Sequence, residues 1–386
     1  MQLTPRITVG LPVYKGADLI PKCLDCLQRQ TFRDFEVIIS VDGNDLETAA
    51  ACRPFLMDPR FRMVVHPERL DWVGNFNWLL QQDLQEFFCY RQHDDTTAPE
   101  FFEVLLQAAD KEPNAAAVYC DCQYSGGRYD IESAPSIEGE SLHRLVQHMA
   151  SSGPPLRGLI RRVAIRQAGL VRSDELRGTA SVFVWLAKLL RWGNFRRVAK
   201  PLYYRLDHPR NITSALRNVP DDRKRAALTT LFTGLLEAAV PLCRTPEERQ
   251  FIQRFILDRI VLSYLYWWPS NEPPAEKIIA DCLERLSLEG NTHLLRKEEL
   301  PLILQELKPD IKGLERSRMR RFIYQMHQRS RMGRVIYPTS RMRRVIYQLR
   351  YPLETLRNKI SSLLLPSRGS GAAERKRDAS RPIQSD

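Results

Sequence analysis

Three short segments constrain this chain more than any other feature: ITVGLPVYKG (7–16), FEVIISVDGND (35–45) and FFCYRQHDDTTAPEFF (87–102). Each is an apolar run that breaks off abruptly into polar residues. Continuous apolar runs of this length fit strands buried on both faces, as in a parallel sheet covered by helices. In open α/β sheets ligands bind beyond the carboxyl ends of the strands. The third run delivers the pair Asp94-Asp95 at such an end. Adjacent carboxylates there invite a divalent cation, and the cation in turn invites a diphosphate.

Around these runs the periodicity alternates. The spacing predicts strands near 6–13, 35–41, 61–66, 87–92 and 115–121. Helices are expected near 17–30, 74–85 and 99–110. That alternation implies an α/β fold with a mostly parallel sheet and helices on both faces. A weaker pattern over 126–153 suggests loop and short helix. A helix follows near 179–192 and an extended segment at 196–206. Beyond Thr213 the strand signal disappears, and 220–310 reads as helical, interrupted by prolines at 241, 246, 269, 273 and 274.

The formal charge of +12 is concentrated rather than spread. Between Lys312 and Arg350 stand twelve Lys or Arg against one acid, Glu315, so this arm holds nearly all of the excess. It contains a reused segment: SRMRRFIYQ (317–325), SRMGRVIYP (330–338) and SRMRRVIYQ (340–348). Basic residues interleaved with Met, Phe, Ile, Val and Tyr fit an amphipathic stretch lying on an anionic membrane surface. Nucleic acid is the poorer fit, because no recognition motif accompanies the charge. The last residues, 367–386, have the composition of a disordered tail. No apolar run approaches a membrane span and no signal-peptide core stands near Met1. The eight cysteines are scattered and complete no zinc set, as expected of reduced thiols in the cytoplasm.

No glycine-rich dinucleotide loop follows the first strand, and no Walker loop occurs. Instead the strand ends offer Tyr14, able to stack on a base, and Asp42, able to hydrogen-bond a nucleoside. Taken in order, V-G-L-P-V-Y (9–14), the run from Gln28 to Gly43, H-D-D-T-T-A-P-E (93–100), G-L-I-R-R (158–162) and Y-R-L-D-H-P-R-N-I-T (204–213) resemble the family 2 glycosyltransferases. These are inverting enzymes with the nucleotide-sugar-binding GT-A fold, and the resemblance covers about residues 5–215. It implies a hexosyl-type transferase domain over 1–215. A helical domain (216–310), a basic amphipathic segment (311–366) and the tail (367–386) follow it.

By that resemblance Pro12, Tyr14 and Asp42 contact the base and ribose, with Asn75 or Asn77 nearby. Asp94 and Asp95 hold Mg²⁺ or Mn²⁺ on the donor diphosphate. Arg205 and His208 close over it. The implied reaction moves one sugar, with inversion, from a nucleotide donor to a hydroxyl of a glycan or lipid-linked acceptor. Such chemistry belongs to cell-surface polysaccharide biosynthesis, carried out here by a cytoplasmic protein peripheral on the inner face of the membrane. Two positions depart from the family pattern. Gln92 stands where the first acid of D-x-D-D belongs; its amide still hydrogen-bonds a ribose or offers a carbonyl to a metal. Ala180-Ser181 occupies the place of the E-D pair that supplies the general base, and serine is a poor base at neutral pH. Asp174 and Glu175 are the nearest upstream acids that a shifted loop would bring in. The alternative is a catalytically impaired sugar-nucleotide or glycan-binding subunit of a glycan assembly complex.

Overall fold

The computed structural model describes residues 5–125, 131–150, 155–176, 178–208 and 219–267, together with Leu294. The basic arm, the tail and most of the C-terminal helical stretch predicted above lie outside the described residues.

The chain opens as β1 (Ile7–Val13), α1 (Ile20–Gln28), β2 (Phe35–Val41), α2 (Leu46–Cys52), β3 (Phe61–Val65), α3 (Asp71–Leu80) and β4 (Phe87–Tyr90). These strands lie in the order β3-β2-β1-β4, all parallel, with Ile7 level with both Phe35 and Phe87. The register places the ends of β1, β2 and β4 along one edge. Asp42 and the 91–95 turn therefore project from the same side of the sheet.

The second half is less regular. A two-residue β5 (Thr96–Thr97) and α4 (Phe101–Lys111) lead into β6 (Ala115–Ser125), and β7 (Ile131–Glu132) folds back on β6. Then come α5 (Ser141–Ala150), β8 (Leu159–Arg161), α6 (Arg162–Ala168), α7 (Thr179–Leu189) and β9 (Asn194–Leu206). β8 is antiparallel to both β4 and β6 and joins the two halves of the sheet. Gly158 makes that junction possible, since a Cβ there would lie 2.1 Å from the carbonyl oxygen of Val118. β9 runs parallel to β6 with register shifts between Ala115 and Ala117 and on both sides of Asp121, and its far end pairs with β5. The described fold is thus mixed α/β with a parallel-rich, curled sheet, as the sequence predicted.

The sheet separates two cores, and alternation along the strands assigns each side chain. Ile7, Val9, Leu11 and Val13 face one core with α1, α2 and α4. Ile38, Phe88 and Tyr90 face the other, with α3, α5 and α7. Gly10 is required by this second core, because a Cβ would meet the Phe88 ring at 2.5 Å. Phe76 anchors it, edge-on to Tyr90 at 5.2 Å and to Trp185 at 5.6 Å. Removing a buried aromatic of this kind costs about 3–5 kcal/mol.

The helices α8 (Asp221–Ala239) and α9 (Pro246–Trp267) do not build a separate core within the described residues. Leu228, Phe232, Leu235 and Ile256 join the same cluster as Trp185. Gly234 lies so close to α7 that a Cβ would reach Val184 at 2.6 Å. Among the described residues no helix is long and apolar enough to cross a membrane. The described cysteines are free, and all but Cys243 are buried.

Candidate active site

At the end of β1 the chain turns sharply through Tyr14 and Lys15, the latter at φ 51°. Asp45 holds this turn. Its carboxylate accepts the Lys15 amide at 2.6 Å and the Thr48 amide at 3.2 Å, which also caps α2. Tyr14 is left half-exposed, with the Arg69 guanidinium 3.3 Å from its ring centroid. Arg69 also pairs with Asp42 at 2.9 Å. The other Asp42 oxygen accepts the Leu70 amide at 2.7 Å. Tyr14, Arg69 and Asp42 therefore form one cluster at the β1 and β2 ends, with Pro12 buried one step inside on β1. Arg69 carried no sequence motif; nothing short of the fold brings it onto Tyr14.

Asn75 and Asn77 point elsewhere. Asn75 is 2% exposed and exchanges hydrogen bonds with Ser40, accepting from its hydroxyl at 2.5 Å and donating to its carbonyl at 3.0 Å. Asn77 pairs with the backbone of Val171, donating at 2.7 Å and accepting at 2.9 Å. Both amides tie α3 to its neighbours rather than facing the cleft.

The two carboxylates after β4 separate in role. Asp95 is 2% exposed. One of its oxygens accepts the Tyr203 hydroxyl at 2.9 Å and the other the Leu206 amide at 3.1 Å. Burial, and then the neighbouring Asp94 charge, push its carboxyl up to about 6. Asp94 instead faces His208, whose Nε2 lies 2.9 Å from its Oδ2. The imidazole's Nδ1 is buried without a hydrogen-bond partner among the described residues.

These positions test the fit of a divalent ion. Asp94 and His208 suit one: a carboxylate and an imidazole within contact distance, drawn from the ends of β4 and β9. Asp95 is buried and holds Tyr203 and the Leu206 amide, one hydrogen bond on each oxygen, so its first role is to tie β9 to this turn. No group of three His, Cys, Asp or Glu converges among the described residues. An ion held here would take its remaining ligands from a bound donor.

Gln92 accepts a hydrogen bond from Arg157 Nε at 3.0 Å through its side-chain carbonyl. Arg205 is turned aside: it donates to the Tyr124 hydroxyl and to Glu132, the latter at 3.3 Å. The missing base is explained only in part. Ser181 sits in the first turn of α7, 3% exposed, with its hydroxyl unpartnered among the described residues. Asp174 reaches back to that same turn. Its carboxylate accepts the amides of Leu176 at 2.7 Å, Gly178 at 2.9 Å and Ser181 at 2.7 Å. These three N–H donors, from the turn before α7 and its first residues, commit both carboxylate oxygens to the backbone. Glu175, beside it, is exposed. The α7 N-terminus is tied to the cleft through Trp72, which lies against Gly178 and donates to the Tyr90 hydroxyl at 2.9 Å.

A parallel-rich sheet with a polar cleft at its strand ends, Asp94 to one side and an aromatic–acid cluster to the other, defines a GT-A fold. Residues 8–165 match the family described as "Glycosyl transferase family 2", and this segment of the chain is a family 2 glycosyltransferase domain. S. aureus TarS (residues 1–349) has the same fold, with a TM-score of 0.58 at 15% identity over 86% of this chain and 93% of that one. EpsH of Bacillus subtilis (strain 168), assigned by name to the glycosyltransferases, is 31% identical over 110 residues, covering 28% of this chain and 32% of its own. The protein y4gI of Sinorhizobium fredii is 21% identical over 300 residues, covering 75% of this chain and 31% of its own. The match therefore spans about a third of the length of each of these two relatives.

Proposed function

We propose that this chain transfers a hexosyl-type sugar, with inversion, from a nucleotide donor to a hydroxyl of a glycan or lipid-linked acceptor. The approach of His208 to Asp94 at 2.9 Å, beside the ends of β1 and β2, carries this reading. It supports reading the pair as a divalent-ion site, with the Tyr14–Arg69–Asp42 cluster as the place for base and ribose. Tyr14, Arg69 and Asp42 bind the nucleoside, with Pro12 shaping the floor. Asp94 and His208 hold Mg²⁺ or Mn²⁺, which when bound offsets the negative charge that grows on the departing diphosphate. Asp95 keeps β9 in place so that His208 arrives beside Asp94. Gln92 and Arg157 line the diphosphate end, and Arg205 supports that wall through Glu132 and Tyr124.

Holding donor and acceptor in one cleft supplies much of the rate, because the displacement becomes effectively unimolecular. The acceptor hydroxyl must lose its proton as the new bond forms. Of the two acids upstream of α7, Glu175 has the carboxylate not committed to backbone amides, and it is the proposed base; Asp174 shapes the loop that carries it. The acceptor class, a role in cell-surface polysaccharide synthesis, and a cytoplasmic position peripheral on the membrane through 312–350 belong to the same proposal.

Calorimetry with UDP- and GDP-sugars in the presence of Mn²⁺ tests it. Binding of one donor, weakened in Asp94→Ala by loss of its Mn²⁺-dependent part, is the expected outcome; no binding of any nucleotide sugar by folded protein defeats it. TarS has been crystallised with UDP-GlcNAc, which makes that donor the first to try. A second reading, a donor-binding subunit without transferase activity, draws on the buried hydroxyl of Ser181 in the family's base position. Donor binding with neither transfer nor hydrolysis would favour it.

A further inference from the structure

Arg157, like Arg69, is a cation of this cleft to which the family resemblance gives no role. It closes the short turn Pro155–Arg157 just before β8, and Gly158 presses that turn against β6. Its side chain is only 14% exposed. A guanidinium is always charged and normally finds a carboxylate when buried. Here it does not find a close one. Nε donates to the neutral amide of Gln92 at 3.0 Å. The nearest carboxylate oxygen, on Asp95, is 3.8 Å away and already accepts the Tyr203 hydroxyl. Neither Nη atom has a hydrogen-bond partner among the described residues.

The identity of residue 92 decides this arrangement. A glutamate there, nearly isosteric with glutamine, would place a carboxylate within hydrogen-bond distance of Arg157 and neutralise it. Glutamine keeps the same reach and the same acceptor oxygen but brings no charge. Gln92 follows β4 by two residues, Asp94 comes next along the same turn, and His208 meets Asp94 from just past β9. The unspent positive charge therefore faces the place where the diphosphate is proposed to lie.

We infer that Arg157, whose hydrogen bond goes to the neutral Gln92 while its only ion pair among the described residues is the long one to Asp95, binds the donor diphosphate directly, so that the cleft distinguishes nucleoside diphosphate from nucleoside even without a divalent ion. This rests on the nucleotide-donor reading above. A glutamine at 92 and an arginine at 157 then act together: part of the charge compensation falls to a side chain rather than a metal.

The test is calorimetry on the full chain in EDTA, with UDP against uridine and GDP against guanosine. Wild type should favour one diphosphate over its nucleoside by about tenfold or more, the scale of charge-assisted hydrogen bonds. Arg157→Met should bring that ratio to within about threefold of unity while leaving nucleoside affinity unchanged. Gln92→Glu, nearly isosteric, should lower the ratio in the same direction, because it supplies the missing counter-charge. If Arg157→Met does not fold, Gln92→Glu alone decides. An unchanged ratio in the folded variants, or no diphosphate preference in wild type, overturns the inference while nucleoside binding keeps the donor reading alive. Wild type that binds neither nucleoside nor nucleotide, with or without Mn²⁺, removes both.

Discussion

His208 Nε2 stands 2.9 Å from Asp94 Oδ2, a contact that joins residues 114 positions apart in the chain. Asp94 comes from the turn after β4 and His208 from just past β9. Their meeting depends on the β5–β9 pairing of Thr96 with Tyr204 and on the Leu206 amide bound to Asp95. If the pair holds a divalent ion, Asp94→Asn and His208→Ala should each remove the Mn²⁺-dependent part of donor affinity. The double variant should be no worse than either single one, a non-additivity that a double-mutant cycle by calorimetry would detect.

Arg69→Ala should act at the other end of the donor. It removes the stacking on Tyr14 and the ion pair to Asp42 together. Nucleoside and nucleoside diphosphate should both weaken by roughly tenfold, in keeping with loss of a cation–π contact and a charge-assisted bond. Competition binding separates this uniform loss from the diphosphate-specific loss expected of Arg157→Met.

Asp174→Ala should be a stability variant. Three amides at the α7 N-terminus lose their acceptor, which costs about 1–2 kcal/mol for a capping carboxylate and shows as a melting temperature lower by several degrees. Ser181→Asp, which restores the residue type of the family base, should also destabilise. The Ser181 amide is 2.7 Å from the Asp174 carboxylate, so a second carboxylate would arrive beside the first. Pairing Ser181→Asp with Asp174→Ser should recover the lost melting temperature.

His148 sets an acid limit on the fold. It stacks on Phe183 at 4.2 Å between ring centroids, and its Nε2 lies 3.0 Å from the Phe183 carbonyl. Burial pushes the imidazole down to about 4. Its folded value is below the unfolded one, so between about 6.5 and 4 the unfolded chain binds the extra proton. Stability from this group is complete above pH 6.5 and falls as pH drops toward 4, by on the order of 3 kcal/mol. Urea titrations of wild type and His148→Gln across that range should show the slope reduced in the variant.

The strands with continuous apolar runs were legible because burial on both faces writes itself into composition: β2 falls at Phe35–Val41, as predicted, and β1 at Ile7–Val13. β8 was not, since three residues carry no period, and its antiparallel insertion between β4 and β6 depends on contacts distant in sequence. The acids at strand ends were legible for the same reason as the strands. Whether each carboxylate faces ligand or protein was not, and Asp94 and Asp95 look identical until Tyr203 and Leu206 are placed. Asn75 and Asn77 leave α3 on different sides, and their partners, Ser40 and Val171, come from segments distant in sequence, so the sequence alone does not say which neighbour each amide meets. Arg69 and Arg157 lie in connecting turns, where an isolated arginine in the sequence resembles any solvated one.

The division between Asp94 and Asp95 bears on how a deleterious substitution in this turn should be diagnosed. On the proposed function, loss of either acid should lower transfer, and an activity screen would then score the neighbours as equivalent. One variant would be a sound scaffold with nothing to grip the ligand. The other would be a scaffold whose β9 hinge has come unfastened, carrying His208 out of reach. A chemical supplement that replaces a missing ligand atom, such as added carboxylate or imidazole, has a chance of reviving only the first.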